Sequence, residues 1–262
     1  MAIGGSKKEE EERKPREFRL FSFHDAHYRI NSPAFPAAVR TIKRLRNRLE
    51  EYIRQVPLFA SSFSPLPNLP GNPPDTAIAM HEASILTGTG PMAAVAGTFA
   101  QKAAEAALNC GAPEAIINNG GDLFLIPNVP TSVGLYTGKA ENSPFNSLAL
   151  HILPEEAPLA ICSSSSTMGH SISLGKAELV SVFSASGALA DAAATMGANK
   201  VGGSLSIQEV AEEIASITGI LGVLIFQGRQ MAAAGKIPDL VRLEHAELTA
   251  KVVKAPGSKF PG

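Results

Sequence analysis

The sequence predicts an α+β fold with antiparallel sheets rather than a doubly wound parallel one. Two observations predict it. Strand candidates outnumber helices, and most of them are joined by hairpin-length turns. A chain of 262 residues can bury a large core as one large domain or two small ones.

The elements follow in order. Residues 1–16 are a charged run holding Glu9, Glu10, Glu11 and Glu12, and read as a disordered tail. Residues 18–30 alternate loosely (Phe18, Leu20, Phe21, Phe23, Tyr28, Ile30) and hold one or two strands. Pro36 opens a helix whose apolar positions Val39, Ile42, Leu45, Leu49 and Ile53 recur at three and four residues. Its other face carries Arg40, Lys43, Arg44, Arg46, Arg48 and Arg54. With Glu50 and Glu51 nearby, that face reads as solvated rather than as a nucleic-acid surface. Pro57 ends the helix, and residues 57–75 are a connector rich in Pro, Ser, Asn and Gly.

Residues 76–84 read as a short strand. Thr87, Gly88, Thr89 and Gly90 then lead into a helix opened by Pro91 and closed by Cys110 and Gly111. Residues 115–118 read as a buried strand and 118–122 as a tight turn. Further strands are expected at 123–126, 133–137, 147–152 and 159–163. Residues 171–174 and 178–183 resemble a hairpin around Gly175 and Lys176. An alanine-rich helix spans 184–199. Ser206 and Glu209 form a capping box for another helix, and Gly228 and Arg229 turn a second hairpin. A glycine turn leads into an alanine-rich helix twice, at 87–109 and at 184–198, which is compatible with an internal duplication.

Composition narrows the function. Net charge is −1, so no overall field recruits nucleic acid or an anionic membrane. With no Trp and three Tyr, a base-stacking surface is not expected. Two distant cysteines, Cys110 and Cys162, fit a reducing compartment and no zinc motif. No apolar run reaches spanning length and no apolar signal core opens the chain, so the expected location is cytoplasmic.

Four segments can carry chemistry. Gly88 and Gly90 precede a helix N-terminus, where free amides and the dipole suit phosphate. Asn118, Gly120, Gly121 and Asp122 form a turn in which paired glycines permit positive φ. Ser163, Ser164, Ser165, Ser166 and Thr167 give five consecutive hydroxyls before Gly169 and His170. Hydroxyls and amides there can bind phosphate oxygens. His170 reads as a ligand contact, a general base or a histidine bonded to its neighbours. Asp191 and Thr195 share one helix face a turn apart, which suits a hard cation such as Mg²⁺. The other reading is a first-turn acid and a buried hydroxyl. No GxSxG elbow is present, so a serine hydrolase is not expected.

Together, residues 90–97, Asn119-Gly120-Gly121-Asp122, Ser164 to His170 and Ala190 to Thr195 resemble an uncharacterised prokaryotic family related to ApbE, the flavin transferase. The resemblance implies an α+β fold with two T-fold-like halves, and residues 17–262 as one such domain. ApbE binds FAD, uses Mg²⁺, and attaches FMN to a protein Thr or Ser with release of AMP. The resemblance implies Asp191 and Thr195 as metal ligands, Asn118, Gly120, Gly121 and Asp122 in the conserved-type turn, and His170 as the active-site histidine. Two departures stand out. Ser171 to Lys176 read Ser-Ile-Ser-Leu-Gly-Lys where ApbE has Asp-Pro-x-Thr-Gly, and Val95-Ala96-Gly97 replaces Ala-Lys-Gly. The expected function is a protein binding a flavin (FAD or FMN) or another phosphate-bearing nucleotide with Mg²⁺, as an FMN or nucleotidyl transferase with an acceptor protein. The rivals are a non-catalytic flavin or nucleotide carrier and a structural or assembly protein on the same scaffold.

Removing residues 1–16 is expected to leave the thermal midpoint nearly unchanged, because so polar a run cannot offset ordering costs of about 1–2 kcal/mol per residue. Differential scanning calorimetry of the truncated chain checks this, and a fall of many degrees contradicts it.

Overall fold

A computed structural model describes residues 16–135, 145, 147–165 and 177–242. The proposed strand at 171–174, its turn at Gly175 and Lys176, and Ser166, Thr167 and His170 lie outside the described residues.

β1 (Arg19–Phe23) and β2 (Ala26–Asn31) form a hairpin that leads into α1 (Phe35–Gln55), which buries Ile42, Leu49 and Tyr52. After the short α2 (Leu58–Ser61) comes α3 (Asp75–Thr87). The expected strand at 76–84 is therefore a helix. Its buried residues Thr76, Ala77, Met80, Ala83, Ser84 and Thr87 recur at helical, not alternating, spacing. Alanine, methionine and glutamate there favour the helix, and Gly88 stops it in the left-handed conformation at φ 70°. A 3₁₀ turn, Pro91–Ala94, precedes α4 (Val95–Asn109).

The remaining elements are β3 (Ala115–Asn119), β4 (Asp122–Ile126), β5 (Thr131–Gly134), β6 (Leu148–Ile152), β7 (Leu159–Ser164) and β8 (Leu179–Ser184). After these come α5 (Gly187–Lys200), α6 (Ile207–Ala215), β9 (Ile220–Gln227), β10 (Gln230–Gly235) and β11 (Asp239–Arg242). The capping box at Ser206 and Glu209 forms as expected.

Eight strands make one antiparallel sheet in the order β1-β2-β3-β4-β7-β8-β9-β10, and a three-stranded sheet runs β11-β6-β5. Each half of the large sheet follows the chain order strand, strand, helices, strand, strand, and the halves meet where β4 pairs with β7. Strand alternation sorts side chains into two cores. Ile117, Phe124, Cys162, Val180, Val182 and Ile225 face the helices. Ile116, Leu125, Ile161, Phe183, Leu224 and Phe226 face the small sheet, which contributes Leu150 and Ile152. The central strands are thus covered on both sides. Among the described residues no helix is long and apolar enough to cross a membrane.

Of the hairpin expected between residues 171–174 and 178–183, the first strand and the turn lie outside the described residues and the second strand is β8. Both edges of β8 are taken, by β7 on one side and β9 on the other. Ser164 pairs with Val180 at one end of the β7–β8 ladder, and Ala160 pairs with Ser184 at the other. Ser165 therefore lies at the end of the sheet opposite to Ser184.

Two glycines set how α4 and α5 meet. A Cβ added at Gly97 would lie 2.2 Å from the Gly187 carbonyl oxygen, and one at Gly187 would lie 2.3 Å from the Gly97 carbonyl oxygen. The backbones touch, which only glycine at both positions permits. Gln101 Oε1 accepts from the Gly187 amide at 2.8 Å and steadies the crossing.

Gly97→Ala is expected to destabilise the fold by about 1–3 kcal/mol or more, the range for overpacking a tight core. Gly134→Ala, where a Cβ would meet nothing within 4 Å, is the control and costs little. Urea unfolding of both variants checks this, and equal losses would contradict a sterically required crossing.

Candidate functional site

The close crossing of α4 and α5 brings Asp191, one helical turn inside α5, against the start of α4. Asp191 Oδ2 accepts from the Gly97 amide at 2.9 Å, and the Ala96 amide also points at the carboxylate. The amides and dipole at this helix end, the feature expected to hold phosphate, are thus given to a carboxylate from the neighbouring helix. Thr195 lies half-buried one turn further along α5.

The second acid comes from the sheet. Asp122 is the first residue of β4 and lies on its helix-facing side, in step with Phe124. Its Oδ1 accepts from the Ser163 amide of β7 at 3.1 Å. Cys162, the next helix-facing residue on β7, hydrogen-bonds to Asp122 and lies 3.7 Å from the Gly187 carbonyl oxygen. Asn119 Nδ2 donates to the Ala96 carbonyl at 3.1 Å, tying the end of β3 to the start of α4.

The charges shape each other. Both carboxylates keep some exposed surface while protein atoms crowd their heads. Burial pushes the Asp122 carboxyl up to about 7, against the opposing pull of the Ser163 amide and the Cys162 thiol. Burial and then the neighbouring Asp122 raise Asp191 well above the usual carboxylate range, and the Gly97 and Ala96 amides oppose this. Burial first, and then both acids, raise the Cys162 thiol, so it stays protonated and donates rather than attacks. Two acids placed this way resist ionising together.

The other expected site residues separate by role. Gly120 and Gly121 have φ of 68° and 126°, as a two-residue hairpin turn requires, and a Cβ at either would meet nothing within 4 Å. Their amides are already engaged. Gly120 donates to the His27 carbonyl at 3.3 Å, and Gly121 to Asn118 Oδ1 at 3.1 Å. Gly88 closes α3, its amide donating to the Ser84 carbonyl at 2.8 Å. Gly90 lies against the 62–63 segment, where a Cβ would fall on the Ser62 carbonyl. Ser164 is half-buried on the same strand face as Cys162, and Ser165 is buried beside it. The structure thus brings Asp122 and Asp191 together at the start of α4, keeps Thr195 one turn along α5 from Asp191, and leaves Gly88 and Gly90 as conformational residues of the preceding turn.

Sequence reasoning missed three contributors: Gly97 with Gly187, Asn119, and Cys162. Gly97 carried a signal, a glycine inside an alanine-rich helix, where it costs about 1 kcal/mol unless a neighbour needs the space. Among the described residues no group of three His, Cys, Asp or Glu is arranged to hold a metal ion, so a cation here would have to draw on hydroxyl and ligand oxygens as well. A shallow cavity of about 520 Å³ lies elsewhere, between α6 and the β9–β10 hairpin, lined by Ser206, Gln208, Gln227 and Met231 among others. It contains no acid, so the chemistry points to the Asp122–Asp191 site and not to that cavity.

The fold is that of the ApbE flavin transferases. It matches the flavinyl transferase ApbE of Pseudomonas stutzeri with a TM-score of 0.54 at 10% identity, covering 84% of this chain and 94% of that one. It matches the ApbE protein of Thermotoga maritima with a TM-score of 0.51 at 13% identity, covering 88% and 99%. A family model described as "AbpE bacteria" matches residues 29–222. The "UPF0280 protein" of Methanocella arvoryzae is 39% identical over 81% of this chain and 85% of its own length. That of Methanospirillum hungatei is 42% identical over 79% and 82%. The chain belongs to this UPF0280 family.

The raised Asp122 carboxyl has a pH signature. The folded chain holds a proton that the unfolded chain releases near 3.8, so stability falls as pH rises from about 4 to about 7 and levels off above. Asp122→Asn keeps an acceptor for Ser163 and removes that slope. In chelator-treated protein the stability of the variant relative to wild type is expected to grow across this window. Unfolding midpoints measured at several pH values check it, and a constant difference contradicts it.

Proposed function

We propose that this chain binds a flavin nucleotide, or another phosphate-bearing nucleotide, together with Mg²⁺ at the Asp122–Asp191 site. By its likeness to ApbE it is read as a flavin or nucleotidyl transferase acting on an acceptor protein. One observation carries the reading: Asp191 is held by the Gly97 amide through one oxygen, with a second raised carboxyl, Asp122, beside it. Each acid has one oxygen on an amide, Asp191 on Gly97 and Asp122 on Ser163. The Ala96 amide also reaches Asp191 and the Cys162 thiol reaches Asp122, so a hard cation would share these oxygens with the protein's own donors, with the Thr195 hydroxyl a turn away. The protonated Cys162 supplies no thiolate, so the donor set fits Mg²⁺ rather than a soft metal.

Bound Mg²⁺ would neutralise pyrophosphate charge as a phosphorus–oxygen bond is exchanged. The chain's own residues do the rest. With the amides of Ala96, Gly97, Gly120 and Gly121 spent within the fold, phosphate oxygens are drawn by the cation site rather than by the helix end. The open space before Gly120 and Gly121 leaves room for the nucleotide. In the transfer step an acceptor hydroxyl oxygen bonds to the FMN phosphorus, the bond to AMP breaks, and His170 takes the hydroxyl proton. Ser164 and Ser165, at the end of β7, offer hydroxyls on this reading, and Ser166 and Thr167 follow them in the sequence. Replacement of the ApbE-type motif by Ser171 to Lys176 favours a second reading, a flavin carrier that binds without transferring.

Flavin fluorescence quenching with added FAD tests the reading. Wild type is expected to bind FAD in a Mg²⁺-dependent way, and Asp191→Ala to lose at least about tenfold in affinity with Mg²⁺ while keeping its thermal midpoint. Equal Mg²⁺ dependence in both would reduce Asp191 to a helix cap. His170→Ala is expected to bind FAD normally and to yield no flavin-labelled acceptor. An unlabelled acceptor with wild type as well selects the carrier reading.

A further inference from the structure

Helix α3 carries apolar side chains on its outer as well as its inner face. Its inner face packs on α5 and on the turn Pro91–Ala94. Its outer face is open: Ile78, Ile85 and Leu86 are 39%, 56% and 51% exposed. Ile78, His81, Glu82 and Ile85 stand at i, i+3, i+4 and i+7, the spacing of a helix–helix seam.

The stripe is its own complement. About the midpoint between residues 81 and 82, Ile78 exchanges with Ile85 and His81 exchanges with Glu82. A two-fold axis through that midpoint brings a second α3 alongside in antiparallel register. Isoleucine then meets isoleucine, and His81 meets the second copy's Glu82 twice. Neither His81 nor Glu82 has an ion-pair partner among the described residues. Phe63, 81% exposed, adds an apolar side chain on the segment whose backbone lies against Gly90, just beyond the C-cap. A self-complementary seam of this kind fits one occupant best, another copy of the same chain.

We propose that α3 is the interface of a symmetric homodimer, crossing the second copy's α3 antiparallel about the 81–82 midpoint. The interface is independent of the nucleotide site and holds whether or not that site binds flavin. The seam is short, so association falls in the micromolar range rather than the nanomolar.

Sedimentation equilibrium of the full chain from about 1 to 200 μM tests it. Wild type is expected to show a monomer–dimer equilibrium. Ile78→Glu and Ile85→Lys, both at exposed positions, are each expected to weaken it at least about tenfold. The double variant puts a glutamate at 78 opposite a lysine at 85 of the second copy, and is expected to recover to within a few-fold of wild type. Circular dichroism confirms that each variant folds. A monomer at every concentration, a dimer indifferent to both single changes, or a double variant that loses the sum of the two overturns the proposal.

Discussion

Everything at the candidate site depends on the contact between Gly97 and Gly187. With no Cβ at either position, α4 and α5 touch backbone to backbone. That approach lets a side chain one turn into α5 reach the first amides of α4. The Asp191–Gly97 hydrogen bond at 2.9 Å is its product, and Gln101 on the Gly187 amide holds the crossing from the other side. A methyl group at either glycine would part the helices and draw the carboxylate off its amides. The packing of the core and the placement of the acid are one constraint.

The sheet supplies the second acid through an equally close fit. Because β4 and β7 are neighbours, Asp122 and Cys162 sit side by side on the helix-facing surface, and the Ser163 amide fixes the carboxylate. Protein atoms around the acids withdraw solvent and make both harder to ionise, and the neighbouring Asp122 raises Asp191 further. Amide donors offset part of that cost but do not remove it. An arrangement that raises two carboxyls together and keeps the adjacent thiol protonated favours a hard divalent cation over a soft one.

Much of this was legible in the sequence. The Asp191 and Thr195 spacing placed both on one face of α5. The paired glycines announced the turn that starts β4 at Asp122, and Ser206 with Glu209 announced α6. What escaped was tertiary. Residues 76–84 have apolar side chains that suit a strand as well as a helix, and their packing against α5 decides the matter. The partner of β8 cannot be read locally, because the connection from β7 is long and a nearer hairpin looked sufficient. Nor does any local pattern reveal that the amides at the start of α4 serve a carboxylate nearly a hundred residues away, or that Asn119 rather than Asn118 ties the turn to that helix.

The account stands or falls on whether the two raised acids give way to a cation. Isothermal titration of Mg²⁺ into the FAD-containing, chelator-stripped protein at pH 6, repeated in buffers of different ionisation enthalpy, measures this directly. The account predicts a buffer-dependent enthalpy corresponding to release of roughly one proton per cation, fading as pH rises above 7, since metal displaces the proton the acids hold. A binding enthalpy identical in all buffers at pH 6 would show that the Asp122–Asp191 pair is not where the cation goes.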